Sequence, residues 1–235
     1  MSTPSPSPTL NALLATLAAE DWRLIWPSLR AVHLAVGDVL CKQGRIQGAL
    51  TFPTTAIVSL LCLTVEGDCA EVAVVGCDGV VGYTPYPVTE SGNFRWVVQS
   101  SGAAYVLDDF RLVGGRLPSH MQRFTQALLA QAAQTAVCNR FHTIEQQLAR
   151  RLLMGLDRSS SSSLMMTHES AAMLLGVRRE GVSVAAKNLQ RAGSIKYRRG
   201  YIDVLDRSRL EHHSCECYAD LQGTNERSQM VADLV

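Results

Sequence analysis

The sequence predicts an α+β fold in three parts: an N-terminal antiparallel β-roll, a long helix, and a C-terminal winged helix-turn-helix. Three observations carry this. Between Arg30 and Leu107, short runs rich in Val, Ala, Leu and Thr are broken by glycine-containing turns, the pattern of a small antiparallel barrel or roll. From Leu117 onward, selected residues recur at alternating spacings of four and three, a helical period. Met166 to Leu205 reads as two short helical patterns meeting at a glycine, with a basic hairpin behind them.

The chain has 235 residues, of which 47% are hydrophobic, enough for two modest domains with a sizeable core. The expected boundaries are 1–19 for a disordered or helical lead-in, 20–115 for the β-roll, 116–142 for a dimerisation helix, 143–213 for the winged helix-turn-helix and 214–235 for a tail. No 18-residue apolar run exists, so no membrane partner is expected. The start, MSTPSPSPTLNALL, lacks a basic segment followed by an apolar stretch and is not read as a secretory signal. Seven cysteines, without a disulfide-framework spacing, point to a reduced, cytoplasmic setting.

Leu10 to Leu29 is expected to form a helical lead-in, with Leu13, Leu14, Leu17, Trp22 and Ile25 apolar. The roll follows, its turns marked by Gly37-Asp38, Gly67-Asp68, Asp78-Gly79 and Ser101-Gly102. In the long helix, Leu117, Met121, Phe124, Leu128, Gln131, Thr135, Cys138 and His142 fall on one stripe. That stripe is expected to be a coiled-coil dimer seam, polar towards its end; the competing reading is a helix packed on its own domain. A further helix is expected from Thr143, with Gln146 completing a capping box and Leu148, Leu152 and Leu153 facing the next module. Ser159 to Ser163 is expected to be a flexible loop.

Thr167 is a good N-cap with Ser170 at the third helical position. Ala171, Ala172, Leu174 and Leu175 form an apolar face, and Gly176 supplies the turn. The second helix is expected from about Arg178 to Ala192, with Val182, Ala185, Ala186 and Leu189 as its buried stripe. Such a helix enters the DNA major groove. Arg178, Arg179 and Glu180 stand at its start, where arginine can pair with guanine and glutamate can accept from cytosine. SIKYRRGYIDVL gives two alternating strands around Arg199-Gly200, a wing. Thr167, Ser183, Lys187, Lys196, Arg198 and Arg199 are the expected phosphate contacts. Arg140 to Arg209 holds thirteen Lys and Arg against six Asp and Glu, whereas the whole chain nets +1. A basic module thus lies between two acidic ones, as contact with phosphates requires.

This order of parts resembles the cyclic-AMP receptor / fumarate–nitrate regulator (Crp–Fnr) family of bacterial transcription factors, over about residues 20 to 215. The resemblance is strongest in CNRFHTIEQQLARRLLMGLD, MTHESAAMLLGVRREGVSVAAKNLQRAG and the terminal CECY. It implies a cyclic-nucleotide-binding-like roll, a homodimer, a palindromic double-stranded DNA operator and RNA polymerase as a further partner. Arg179 and Glu180 match the family's base-reading pair, while Val184 stands where a third base-reading arginine would be. Thr167, Lys187 and Arg198 match positions that approach phosphate.

The effector site departs from the family. Tyr83 replaces the ribose-binding Glu, Arg95 is followed by Trp96, and Ala132 and Ala133 replace the adenine-reading pair. Residues 1–40 lack cysteine, so the iron–sulfur sensor is not expected. The effector is unknown, and no cofactor or metal is expected.

His212, His213, Cys215 and Cys217 crowd together near the C-terminus and could hold zinc or copper. Cys-x2-Cys spacing is absent, however, and a tail helix packing on the DNA-binding domain is the expected reading. Cys41, Cys62, Cys69 and Cys77 read as small buried hydrophobes, and Trp22, Trp26 and Trp96 as core. A haem role for His33 or Cys77 has no supporting pattern. No Gly-rich phosphate loop, Gly-x-Ser-x-Gly or His-Glu-x2-His motif appears, so an enzyme is not expected. The expected function is a sequence-specific, homodimeric transcription regulator. The alternative is a sensor gated by a small molecule in the roll, or by redox or metal chemistry at its cysteines.

Overall fold

The computed structural model describes residues 7, 10–41, 49–83, 93–109, 113–159 and 161–223. The chain divides into two compact units, one of residues 1–60 and 75–126, the other of residues 61–74 and 127–235.

In the first unit the lead-in is not one helix. Helix α1 (Ala12–Ala15) and helix α2 (Ala19–Ile25) are followed by a 3-10 turn at Trp26–Ser28. Pro27 lies in that turn, where its fixed φ and missing N–H suit an end rather than an interior, and Leu29 already opens strand β1. Asn11 caps α1 through its side-chain oxygen, and its amide nitrogen donates to the carbonyls of Pro53 and Gly79, both at 2.8 Å. A fully buried amide is thereby satisfied.

The strands follow the expected turns: β1 (Leu29–Leu34), β2 (Val39–Cys41), β3 (Leu50–Pro53), β4 (Ile57–Leu63), β5 (Cys69–Val75), β6 (Phe94–Ser100) and β7 (Gly102–Leu107). One sheet has the order β1-β7-β3, antiparallel throughout, with Leu29 opposite Leu107 and Phe52 opposite Tyr105. A second has the order β2-β6-β4-β5. Leu14, Ile25, Phe52, Tyr105, Leu107, Leu117 and Met121 form the core of the first unit. Gly79 lies closely against Phe124 and Val75, so a Cβ on it would force the Phe124 ring to shift.

Helix α3 (Leu117–Phe141) corrects the expected dimer seam. Leu117 and Met121 are buried in the first unit's core, with Phe124 packed against it. Gln131 and Cys138 are buried in the second unit, and Leu128 and Thr135 are half-buried. The stripe is the side that the helix turns towards its own chain. Gln131 is not a weak polar seam position. Its Oε1 accepts from the Val74 N–H at 2.5 Å and its Nε2 donates to the Val74 carbonyl at 3.3 Å, as a neighbouring strand would.

The rest of the second unit holds α4 (Ile144–Leu156), β8 (Ser163–Met165), α5 (His168–Leu175), α6 (Arg179–Arg191), β9 (Ile195–Arg198), β10 (Tyr201–Val204) and α7 (Arg207–His213), with a further helical turn at residues 217–223. The capping box expected at Thr143/Gln146 is present, and at the expected N-cap Thr167 the Ser170 side chain completes a second one. The serine run is only partly a loop: Ser163 opens β8, which pairs with β10 in a sheet of order β8-β10-β9. No described helix is long and apolar enough to cross a membrane.

Candidate nucleic-acid interface

The interface is built on α5, α6 and the β9–β10 hairpin. Gly176 ends α5 in the left-handed conformation (φ 65°, ψ 35°), and its N–H bonds back to Ala172 and Met173. Only a residue without Cβ takes this geometry cheaply. Ala172, Leu175, Val182, Ala185 and Leu189 are buried, so α6 is held by an apolar stripe along one side. Gly181 lets α6 lie against α4: a Cβ there would stand 2.6 Å from Ile144 Cδ1.

Helix α6 starts one residue later than expected. Arg178 is its N-cap, with extended backbone and no side-chain cap. Arg178, Arg179 and Glu180 are all exposed at this end. Arg179 is pre-oriented by Glu169 at 3.7 Å, an exposed pair that holds it only weakly. Val184, the position that departs from the family pattern, is 61% exposed. An apolar side chain held out of the core beside charged ones can meet a thymine methyl group. The sequence carried this signal, as a valine outside the buried stripe.

Among the expected phosphate contacts, Lys187, Lys196 and Arg199 are exposed. Arg198 is exposed but bound across the hairpin to Asp203, Nε to Oδ2 at 2.5 Å and Nη2 to Oδ1 at 2.7 Å. That bond holds the Asp203 carboxyl below its usual value. The turn between the strands is Arg199-Gly200, with Gly200 at φ +80°. Thr167 caps α5, accepting from the Ser170 N–H at 3.0 Å.

Ser183 is committed within the protein. Its hydroxyl donates to the Arg179 carbonyl at 3.0 Å and lies 3.0 Å from His168 Nδ1. Since the hydroxyl proton points at the carbonyl, His168 Nδ1 must donate and Nε2 carries no proton. The imidazole stacks on Tyr197 with ring centroids 4.3 Å apart. Burial, reinforced by Arg179, lowers the His168 pKa. Glu145 fastens the module from α4, accepting from Asn188 on α6 at 2.9 Å and facing His213 on α7 at 3.1 Å.

Of the positions that depart from the family's effector site, Tyr83 is partly buried against the first unit's core, and Arg95 and Trp96 are half-buried on β6. Ala132 and Ala133 lie on α3. The loop at 84–92 lies outside the described residues.

The alternative grouping of His212, His213, Cys215 and Cys217 does not assemble. His212 Nδ1 faces its own helix at Ser208 O, 2.8 Å away, and His213 faces Glu145. Cys215 and Cys217 instead meet Cys138 and His142. The Cys215 hydrogen bond holds the Cys138 thiol below its usual pKa, while that same contact and burial push Cys215 up.

Residues 146–213 match the Crp-like helix-turn-helix domain. Among curated proteins none matches the chain in sequence. Among solved structures, the chain is similar to a transcriptional regulator of the Crp/Fnr family from Eubacterium rectale (17% identity, 87% of this chain and 98% of that one, TM-score 0.63). It is also similar to TTHB099, a transcriptional regulator of the CRP family from Thermus thermophilus (17%, 78% and 96%, TM-score 0.66), and to FixK2 from Bradyrhizobium japonicum (15%, 80% and 98%, TM-score 0.65). Residues 146–213 thus carry a Crp-like helix-turn-helix domain, a DNA-binding module, and the chain as a whole shares the fold of these Crp/Fnr-family structures.

Proposed function

We propose that the protein acts in the cytoplasm as a homodimer that reads a palindromic operator, with α6 of each protomer in successive major grooves about 34 Å apart. The observation that carries this is the end of α6, where Arg178, Arg179 and Glu180 stand exposed behind the Gly176 turn of a Crp-like helix-turn-helix. These three residues read base edges, and Val184 adds a methyl contact. Lys187, Lys196 and Arg199 hold phosphate, with Arg198 joining them if it leaves Asp203. The backbone N–H groups at the start of α5, framed by Thr167, offer a further phosphate seat. Ser183 serves the interface indirectly, by fixing His168 beside Arg179.

The dimer forms through the outer face of α3. Gln122, Gln126, Leu129, Ala133, Ala136 and Arg140 repeat at four and three and are all exposed, Leu129 by 71%, with Phe141 beside them at 75%. Leu129, Ala133 and Ala136 give this stripe an apolar, small-residue centre flanked by Gln122, Gln126 and Arg140, and its period is that of a two-stranded seam. Once bound, the dimer would present its outer surface to RNA polymerase.

The test is selection from a random DNA library with purified protein and no added ligand. An enriched palindrome supports this function, and its half-sites report what Arg178, Arg179 and Glu180 read. A folded dimer that enriches nothing, with and without a metabolite mixture, overturns it.

A further inference from the structure

We propose that Cys138, His142, Cys215 and Cys217 form a binding site for one zinc ion, tying the C-terminal segment to the end of α3. Their four ligand atoms all lie within 4.8 Å of one another. Cys138 Sγ is 3.5 Å from Cys215 Sγ, and Cys217 Sγ is 3.5 Å from His142 Nδ1. Zinc binds thiolate at about 2.3 Å and imidazole at about 2.0 Å in a tetrahedron. The edges of such a tetrahedron run about 3.5–3.8 Å; the Cys138–Cys215 and Cys217–His142 separations already match them, and the remaining ones, within 4.8 Å, need at most a small closure.

The local structure supplies the ligands in two pairs. Cys138 and His142 are four residues apart, and the His142 N–H bonds to the Cys138 carbonyl at 3.0 Å, so one helical turn points both the same way. Cys215 and Cys217 flank Glu216 where the chain passes from α7 into the turn at 217–223. The three cysteines are buried and make up a cluster by themselves.

Two features beyond the ligands fit a metal better than apolar packing. The first is the second ring nitrogen of His142, which lies 3.1 Å from Glu216 Oε1. Nδ1 therefore faces the thiols while a carboxylate holds Nε2–H, the arrangement that orients metal-bound histidine. The second is Arg150, a buried guanidinium close enough to act electrostatically on both Cys138 and Cys217. Its Nη2 donates to Thr135 at 3.0 Å, but its Nε has no hydrogen-bond partner among the described residues. Three thiolates, a neutral imidazole and Zn2+ carry a net charge of −1, which the guanidinium balances. Loading releases three thiol protons to solvent and changes no oxidation state.

The site is separate from the base-reading end of α6, so it stands or falls independently of the operator. The ion would act as a structural staple, because all four ligand positions are filled by protein.

The test uses the full chain, purified under reducing conditions from zinc-supplemented cells without chelator. Elemental analysis should find one zinc per chain. Exchange for Co2+ should give the intense visible bands and the thiolate charge-transfer absorption of a tetrahedral site. Cys138→Ser and Cys217→Ser should abolish both, Cys77→Ser should leave them intact, and His142→Cys should keep the ion with an altered cobalt spectrum. If a serine variant does not fold, the wild-type zinc content and cobalt spectrum still decide the matter. Reduced wild-type protein that takes up neither metal overturns the site. So does metal retained unchanged by both serine variants, or a Cys138–Cys215 disulfide forming in its place.

Discussion

Arg151 on α4 and Glu71 on β5 form a buried, two-pronged ion pair. Nη2 donates to Oε2 at 3.0 Å, and Nε pairs with Oε1; both side chains are more than nine-tenths shielded from solvent. Both belong to the second unit, in which the tip of the β4–β5 hairpin is grouped with the DNA-binding module. Losing one partner strands a charge in a poorly solvated place. Glu71→Ala is expected to cost about 3–5 kcal/mol in chemical denaturation. Replacing both by Met should recover most of that loss. A double variant as unstable as the single one would mean that the pair contributes more than mutual neutralisation.

The base and phosphate assignments separate in binding assays. Arg179→Ala should cost about 1–3 kcal/mol on the selected operator and relax one base position, with little change on random DNA. Lys187→Ala should weaken both DNAs alike and flatten the salt dependence by about one counterion. Equal loss on both DNAs for Arg179→Ala would remove it from the base-reading set.

The two faces of α3 make opposite predictions. Leu129→Glu, on the exposed face, should turn the proposed dimer into a monomer in sedimentation while leaving the fold intact. Met121→Ala, in the core, should lower stability by about 2–5 kcal/mol and leave the monomer–dimer equilibrium in place. Reversed outcomes would restore the buried stripe as the seam.

His168 makes stability depend on pH. Its folded pKa lies below 6.5, first because of burial and second because of Arg179. The unfolded chain therefore binds the proton more readily. The stability tied to the neutral imidazole is fully present above pH 6.5 and falls as pH drops through 6.5 towards the folded pKa. Nε2 is buried without a hydrogen-bond partner among the described residues, so protonation there creates an unsatisfied donor. His168→Phe should flatten this part of the stability profile. An NMR titration of His168 at or above 6.5 would refute the argument.

Gly102 opens β7, and a Cβ on it would meet the backbone N of Ala56 at 2.4 Å and the backbone C of Thr55 at 2.5 Å. Backbone atoms yield less readily than side-chain ends, so Gly102→Ala should cost about 1–3 kcal/mol by thermal or chemical unfolding. Gly37→Ala, which has open space but φ +89°, should cost only the left-handed strain, about 1–2 kcal/mol.

The amino-acid sequence by itself determined the features whose causes are local. Thr143 with Gln146 and Thr167 with Ser170 announce their helices, because capping needs only residues three apart. Gly176 and Gly200 mark backbone that turns left-handed. The stripe Val182, Ala185, Ala186, Leu189 orients α6, and with it the exposed Arg178, Arg179 and Glu180. Pro27 is local in the same sense: its fixed φ and missing N–H end the lead-in helix before Leu29. Only the tertiary structure decided what occupies each surface. A repeat of four and three says that a helix has a sticky side, but not whether a second chain or its own domain covers it; for Leu117, Met121, Gln131 and Cys138 the chain's own residues do. The pairing of Glu71 with Arg151, and of Cys138 and His142 with Cys215 and Cys217, joins residues more than seventy positions apart. No local spacing encodes such meetings, because they exist only once the chain has folded back on itself.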